Sequence, residues 1–242
     1  MPTRAALLAI WPILAGTMCF AADQPPAIDA GDLAQQKLLV EGANLAKMHK
    51  PQEAISGYFD KVLAYYESKY ADPKIKYYAA RFPTESLLYL TEAANKNEAA
   101  RVVSFAWAEA YYAKAYALED LGKLAEAKAS LAHALALSPD NSGFLAELAT
   151  IYESEKNWPD AQAEFRLAED AAQISPPLSK NFDLARAWRG IGYVLVEEGK
   201  LDDAAALYRK CLDLDPNDAR ARAELAYVEK KKSGGAAPAG SR

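Results

Sequence analysis

Beyond residue 104 the chain alternates apolar and polar positions at helical spacing, punctuated by single glycines and prolines. The clearest stretch is 185–218, ARAWRGIGYVLVEEGKLDDAAALYRKCLDLDPND. Trp188, Ile191, Gly192 and Leu195 fall at i, i+3, i+4 and i+7, which is one face of a helix. Gly199 is placed to end that helix, because glycine accepts the left-handed conformation of a helix terminus. Asp202 and Asp203 open the next helix, where negative charge suits the positive end of the macrodipole. Ala204, Tyr208 and Cys211 carry its apolar stripe, and Pro216 closes it, since proline cannot continue the hydrogen-bond ladder. Small residues at Gly192 and Ala204 let the two backbones approach, while Trp188 and Tyr208 fill the space beside them.

The same order of marks appears over 108–141, with Tyr111, Ala115, Leu118, Gly122, Ala127, Leu131, Ala134 and Pro139. It appears again over 142–175, with Leu145, Leu148, Ala149, Tyr152, Trp158, Ala161, Phe165 and Ala168. The first two copies are offset by about 34 residues, and aromatic, small, small, aromatic and proline marks recur in register. This pattern resembles the tetratricopeptide repeat family. Lys114 departs from it, standing where the family usually has leucine. Gln173 replaces the closing proline of the second copy, so that helix is expected to run on to Pro176 and Pro177, with 174–184 as an insertion. The resemblance implies an all-α fold, a right-handed α-solenoid of helix-turn-helix repeats, with an irregular helical region in front of it.

That region spans 35–104. Within it, 35–68 holds either a degenerate fourth copy or an unrelated helical hairpin: Leu38, Gly42, Leu45, Ala54 and Tyr58 keep the spacing, and Pro51 can open a second helix. Tyr65, Tyr66, Tyr70, Tyr77, Tyr78 and Phe82 form the densest aromatic cluster, interleaved with Lys74, Lys76 and Arg81. Basic and aromatic residues together can build a platform for polyanions or sugars. The favoured reading is that these tyrosines pack the first hairpin against the solenoid and keep their hydroxyls wet. Pro83 and Thr84 read as a helix start, Asn95 and Asn97 as its end, and Ser104 as the N-cap of the first clear repeat. The repeat domain is expected over 105–232, its end covered by a polar-backed capping helix at 219–232.

The two ends have another character. Arg4 precedes an almost wholly apolar run at 5–20, then small residues at Ala21 and Ala22, which reads as a cleaved secretory signal over 1–22. The run is short for a membrane span, so no stable span is expected. Cys19 follows Met18 rather than the small residue that lipid attachment wants. A flexible segment is expected at 23–34 and a disordered tail, rich in glycine and alanine, at 233–242. The localisation implied is export, to the periplasm in a bacterium. Cys211 is then left as a single thiol, read as a buried packing residue because one cysteine cannot form an internal bridge.

Charge narrows the partners. The formal net charge is −5, and losing Arg4 would take it to −6. No dense basic stretch precedes the triplet Lys230, Lys231 and Lys232, so nucleic acid is not expected as a partner. His49 and His133 share no metal-ligand spacing with each other or with a cysteine. There is no phosphate-cradling glycine loop and no nucleophile elbow. The paired acids Glu119 and Asp120, and Glu197 and Glu198, read as solvated helix faces. No enzyme activity, cofactor or metal is expected.

In the tetratricopeptide family the first helices of successive repeats line a concave groove. By that resemblance the groove-facing residues are Glu109, Tyr112, Tyr116, Glu119 and Asp120, then Ala146, Thr150 and Glu153, then Arg186, Arg189, Tyr193 and Glu197. They lie on a different stripe from the packing positions and hold tyrosine, arginine and carboxylate where a core would hold aliphatics. The carboxylate clamp of some family members is absent, with Tyr112 and Tyr116 in its first-repeat positions; Arg186 and Arg189 offer a different geometry for a carboxylate. The expected function is a non-catalytic adaptor that binds a segment of another protein, in envelope or secretion-complex assembly. The alternative is a scaffold that associates with copies of itself.

Overall fold

The computed structural model describes residues 29–234. The leader expected over 1–22, and the tail from 235 onward, lie outside the described residues. Helices α1 (Ala30–Lys47), α2 (Pro51–Ala54) and α3 (Asp60–Lys69) form a first hairpin, with a π-helical turn, Ile55–Phe59, joining α2 to α3. Strand β1 (Lys76–Ala79), helix α4 (Pro83–Asn95) and strand β2 (Ala100–Val103) follow. Three helical pairs come next: α5 (Ala106–Asp120) with α6 (Leu124–Leu137), α7 (Ser142–Ser154) with α8 (Trp158–Ala172), and α9 (Pro177–Glu197) with α10 (Leu201–Leu214). Helix α11 (Ala219–Lys232) covers the end. The fold is a helical-repeat solenoid, as the periodicity indicates.

Within each pair, a small residue on the first helix and a large one on the second hold equivalent repeat positions in the core. Ala115 and Leu131, Ala149 and Phe165, and Gly192 and Tyr208 occupy equivalent places, and all but glycine are at most 3% exposed. The smallest acceptor faces the largest ring. A Cβ on Gly192 would lie 2.8 Å from Cε1 of Tyr208, inside van der Waals contact. Gly190 does the same for the preceding repeat, where an added Cβ would come within 2.3 Å of the Phe165 ring. A second contact of small groups closes the last two pairs. Ser142 Oγ donates to Ala168 O at 2.8 Å, and Cys211 Sγ lies 3.6 Å from Ala185 O in the equivalent place. Cys211 is fully buried, and burial pushes its thiol up to about 11.

The first hairpin obeys the same rule with one extra residue. A Cβ on Gly42 would meet the Phe59 ring at 2.6 Å. Ala54, Phe59 and Val62 are fully buried, whereas the even spacing points to Tyr58. The π turn inserts one residue between Ala54 and Phe59 and so rotates the second half of the helix by one position. Helix α5 packs against α1 and against the π turn and α3, just as α9 packs against α7 and α8. Lys114 explains its own departure from leucine here: its Nζ donates to Asp60 Oδ1 at 2.7 Å. Tyr111 adds a hydrogen bond to Glu67 at 2.6 Å.

Several expectations are corrected. Residues 30–34 belong to α1 rather than to a flexible segment, because Asp29 caps the helix by accepting from Gly31 N, and Lys69 pairs with Asp29 and Asp32. The region 35–104 is not wholly helical: β1 and β2 pair in parallel, Lys76 against Ala100, with α4 as the crossover. Ser104 is not a side-chain cap; Phe105 holds the N-cap position and makes no side-chain bond. Helix α8 stops at Ala172, and the insertion instead continues α9 backwards to Pro177, which the ring's fixed φ favours at a first helical position. The aromatic cluster packs the hairpin to the solenoid, with Tyr66, Tyr70 and Trp107 stacked at 5.6–6.1 Å. Tyr66 is fully buried, hydroxyl included, and burial pushes its pKa up to about 12.

The β–α–β insertion is held by a buried ion pair. Glu85 is fully buried and accepts from Arg81 through its backbone N at 2.7 Å, Nε at 2.9 Å and Nη2 at 2.5 Å. Arg81 also donates to Asp140 O at 3.3 Å, and Asp140 N donates to the Tyr89 hydroxyl at 3.3 Å, which ties the insertion to the α6–α7 turn.

Each hairpin turn needs a left-handed residue. Gly122 and Gly199 supply φ of 71° and 78°, but His49 and Lys156 adopt 57° and 58° with a side chain in place. Lys156→Gly is therefore expected to raise stability by about 1 kcal/mol, read as a higher urea midpoint. Gly192→Arg is expected to cost about 3 kcal/mol by forcing Tyr208 out of its place. A variant that melted like the wild type would show the repeat register to be wrong.

A candidate protein-interaction groove

Helices α5, α7 and α9 are the first members of their pairs, and one stripe of each meets the next on a shared face. Tyr112 of α5 donates its hydroxyl to Glu147 Oε2 of α7 at 3.2 Å. Arg186 of α9 donates to the same oxygen at 2.5 Å and to Gly143 O at 3.4 Å. Three successive repeats are thus linked through one carboxylate. Burial opposes the charge on Arg186, but Glu147 and Tyr112 hold its pKa above the ordinary range. Burial, reinforced by Glu147, pushes Tyr112 up to about 12.

The expected groove residues divide into two sets. Tyr112 and Arg186 meet in the network just described, and Glu119 lies close enough to feel Glu147 and Arg186. Arg189 belongs elsewhere: it pairs with Asp218, whose other oxygen caps α11 by accepting from Ala221 N. It therefore fastens the last helix to α9. Glu109, Tyr116, Asp120, Thr150 and Glu197 are exposed, Tyr116 at 51%. Tyr193 packs edge-on against Trp158, and Glu153 acts electrostatically on buried Tyr208 together with Glu224 of α11. Ala146 is buried and contributes packing only.

Glu147 was not among the expected residues. It sits between the packing positions Leu145 and Leu148 and is only 6% exposed, so its helix alone reads it as a misplaced polar residue. The usable signal was across repeats: the aligned positions in the neighbouring helices, Ala113 and Gly190, are small.

Glu119 is the most perturbed acid on this face. Burial first, then the carboxylates of Glu147 and Asp120, push it up to about 8, with Arg186 opposing. Its Oε1 is closed off from solvent and accepts no hydrogen bond. The alternative platform beside the aromatic cluster is weaker in charge. Lys69 is committed to Asp29 and Asp32 and Arg81 to Glu85, while Lys74 and Lys76 share an open cleft with Glu92 and Glu98.

Comparison with known proteins fits this geometry. Residues 108–141 match the tetratricopeptide repeat model, and residues 192–233 match a second model of the same repeat type. These two segments carry the tetratricopeptide repeat pattern, a repeat that typically serves as a non-catalytic scaffold for protein–protein interaction. Among solved structures it is similar to pilF of Pseudomonas aeruginosa, with a TM-score of 0.58 at 17% identity over 84% of this chain and 71% of that one. A tetratricopeptide repeat protein from Parabacteroides merdae gives 0.53 at 16% identity, over 84% of this chain and 61% of that one. MamA from Desulfovibrio magneticus RS-1 gives 0.51 at 16% identity, over 82% and 85%. At these identities the likeness is one of fold. No curated protein matches the chain significantly.

Glu119 makes a pH-dependent contribution whose sign is fixed. Its pKa rises from 4.5 to about 8 on folding, so the stability it contributes is complete below pH 4.5 and is lost as pH rises through about 8. Glu119→Gln is expected to gain stability over wild type progressively across that window. Urea unfolding at several pH values measures it, and a difference independent of pH would contradict the assignment.

Proposed function

We propose that this protein is an exported, non-catalytic adaptor whose groove along α5, α7 and α9 binds a segment of another protein. The observation that carries the reading is the Tyr112–Glu147–Arg186 network. It ties three repeats into one preorganised face, and around it stand exposed polar and aromatic residues that packing does not require. The groove residues are Glu109, Tyr112, Tyr116, Glu119, Asp120, Thr150, Glu153, Arg186, Arg189, Tyr193 and Glu197, with Glu147 added. Arg186 and Arg189 contribute through their internal pairs, which shape the face and fasten α11 to it.

Export is supported by the apolar run at 5–20 behind Arg4, and the periplasm of a bacterial envelope is the compartment that fits it. Among the described residues no helix is long and apolar enough to cross a membrane. Assembly of an envelope or secretion complex is the role in which such an adaptor works.

A second reading, self-association into a scaffold, has one observation in its favour. The extended start of α9 carries Leu178 and Phe182 at 101% and 64% exposure, one turn apart, beside exposed Ile174 and Leu167.

Crosslinking in intact cells, followed by partner identification, is expected to recover a heterologous protein with wild type. Thr150→Arg, which fills the centre of the groove from an exposed position, is expected to abolish that crosslink without lowering the melting temperature. Retention of the crosslink would overturn the groove reading. Solution mass across a concentration series decides the second reading, since a strict monomer removes it.

A further inference from the structure

The charge carried by the first helices of the repeats indicates what kind of segment the groove accepts. Both arginines on this face are spent within the protein, Arg186 on Glu147 and Arg189 on Asp218. The acids of α5 are not matched in the same way: among the described residues, no salt bridge engages Glu109, Glu119 or Asp120. Glu109, Tyr112, Tyr116 and the pair Glu119 and Asp120 follow at three- and four-residue steps, so they form one stripe along the helix. Tyr116, half exposed, offers a ring face between the two acidic ends of that stripe.

Glu119 supplies an observation independent of this count of charges. Its Oε1 is removed from solvent with no donor to receive, and the carboxylates of Glu147 and Asp120 act against it. A buried acceptor without a donor is unfavourable, and an incoming N–H group relieves it. An ammonium or guanidinium would supply that donor to ionised Glu119, in place of the proton that burial, Glu147 and Asp120 otherwise hold on it, and would lie against the negative face of a tyrosine ring. A carboxylate-bearing segment would instead add negative charge beside Glu147 and Asp120.

Resting on the groove reading above, we propose that the α5–α7 half of the groove binds a cationic stretch of polypeptide. One lysine or arginine of the partner is seated between Tyr116, Glu119, Asp120 and Glu147. The Tyr112–Glu147–Arg186 network positions Glu147 for this.

The test uses the full chain and three labelled synthetic peptides of equal length, alternating leucine with lysine, glutamate or glutamine, followed by fluorescence anisotropy. The lysine peptide is expected to bind, with affinity falling as salt rises, and the other two to bind at least about tenfold more weakly. Glu119→Gln with Asp120→Asn, and separately Tyr116→Ala at its exposed position, are each expected to weaken the lysine peptide by about tenfold or more. Asp170→Asn with Asp213→Asn, on the exposed outer sides of α8 and α10, removes the same number of carboxyl groups and is expected to leave binding unchanged. Equal losses in the two double variants would reduce the effect to overall charge and overturn the proposal, as would unchanged binding in the first. Preference for the glutamate or glutamine peptide, blocked by Thr150→Arg, would overturn the cationic assignment while keeping the groove. Lysine-peptide binding that Thr150→Arg leaves intact would overturn both.

Discussion

Close approach of two helices, allowed by a small residue and filled by one large side chain, is the constraint on which this architecture depends. It is seen in Gly192 with Tyr208 and Gly42 with Phe59, and buried Ala115 with Leu131 and Ala149 with Phe165 hold the equivalent positions. In the tightest of these, glycine faces an aromatic ring. Because interiors are packed at crystal-like density, neither partner can change alone. Phe165 shows how the rule passes from one repeat to the next, since its ring also occupies the space left by Gly190 of the following helix. The solenoid is therefore fixed by contacts within pairs and between them, and the first helices must present their remaining stripe to one face.

That face is where the polar side chains acquire a purpose beyond solubility. A single buried carboxylate, Glu147, receives donors from helices on both sides. Its removal would leave Arg186 partly buried without its partner, a costlier state than an apolar replacement of both. The groove thus owes its shape to an internal ion pair as much as to packing. At the end of the solenoid, the bond from Arg189 to Asp218 does the same for α11.

The packing of the repeats was legible in the sequence because it is local and periodic. Trp188, Gly192, Ala204 and Tyr208 announce themselves at helical spacing, and Gly122 and Gly199 mark the turns at positive φ. The first hairpin was only half legible, because the π turn moves the filling residue from Tyr58 to Phe59 and breaks the count by one. Strands Lys76–Ala79 and Ala100–Val103 escaped for a different reason. Each is four residues long, too short to show an alternation, and each finds its partner only across the whole of α4. Of the site, the exposed stripe could be read from one helix at a time. The network could not, because Glu147 and Arg186 are 39 residues apart and neither side chain is explained by its own helix.

The insertion between the first hairpin and α5 bears on this division of labour. Its buried pair, Arg81 with Glu85, and the link to Asp140 anchor it at the α6–α7 turn. It leaves the stripe of Tyr112, Tyr116 and Glu119 uncovered. The tyrosine cluster around Trp107 takes up the space between hairpin and solenoid, so that α5 is held on one side by aromatic stacking and by Lys114 with Asp60. Its opposite stripe carries the unmatched acids. Helix α5 is the point at which the rigid, filled half of the molecule meets its open face. A helix fixed so firmly on one side can hold partly buried carboxyl groups on the other without yielding. That is the setting in which Glu119 Oε1 is closed off from solvent and accepts no hydrogen bond.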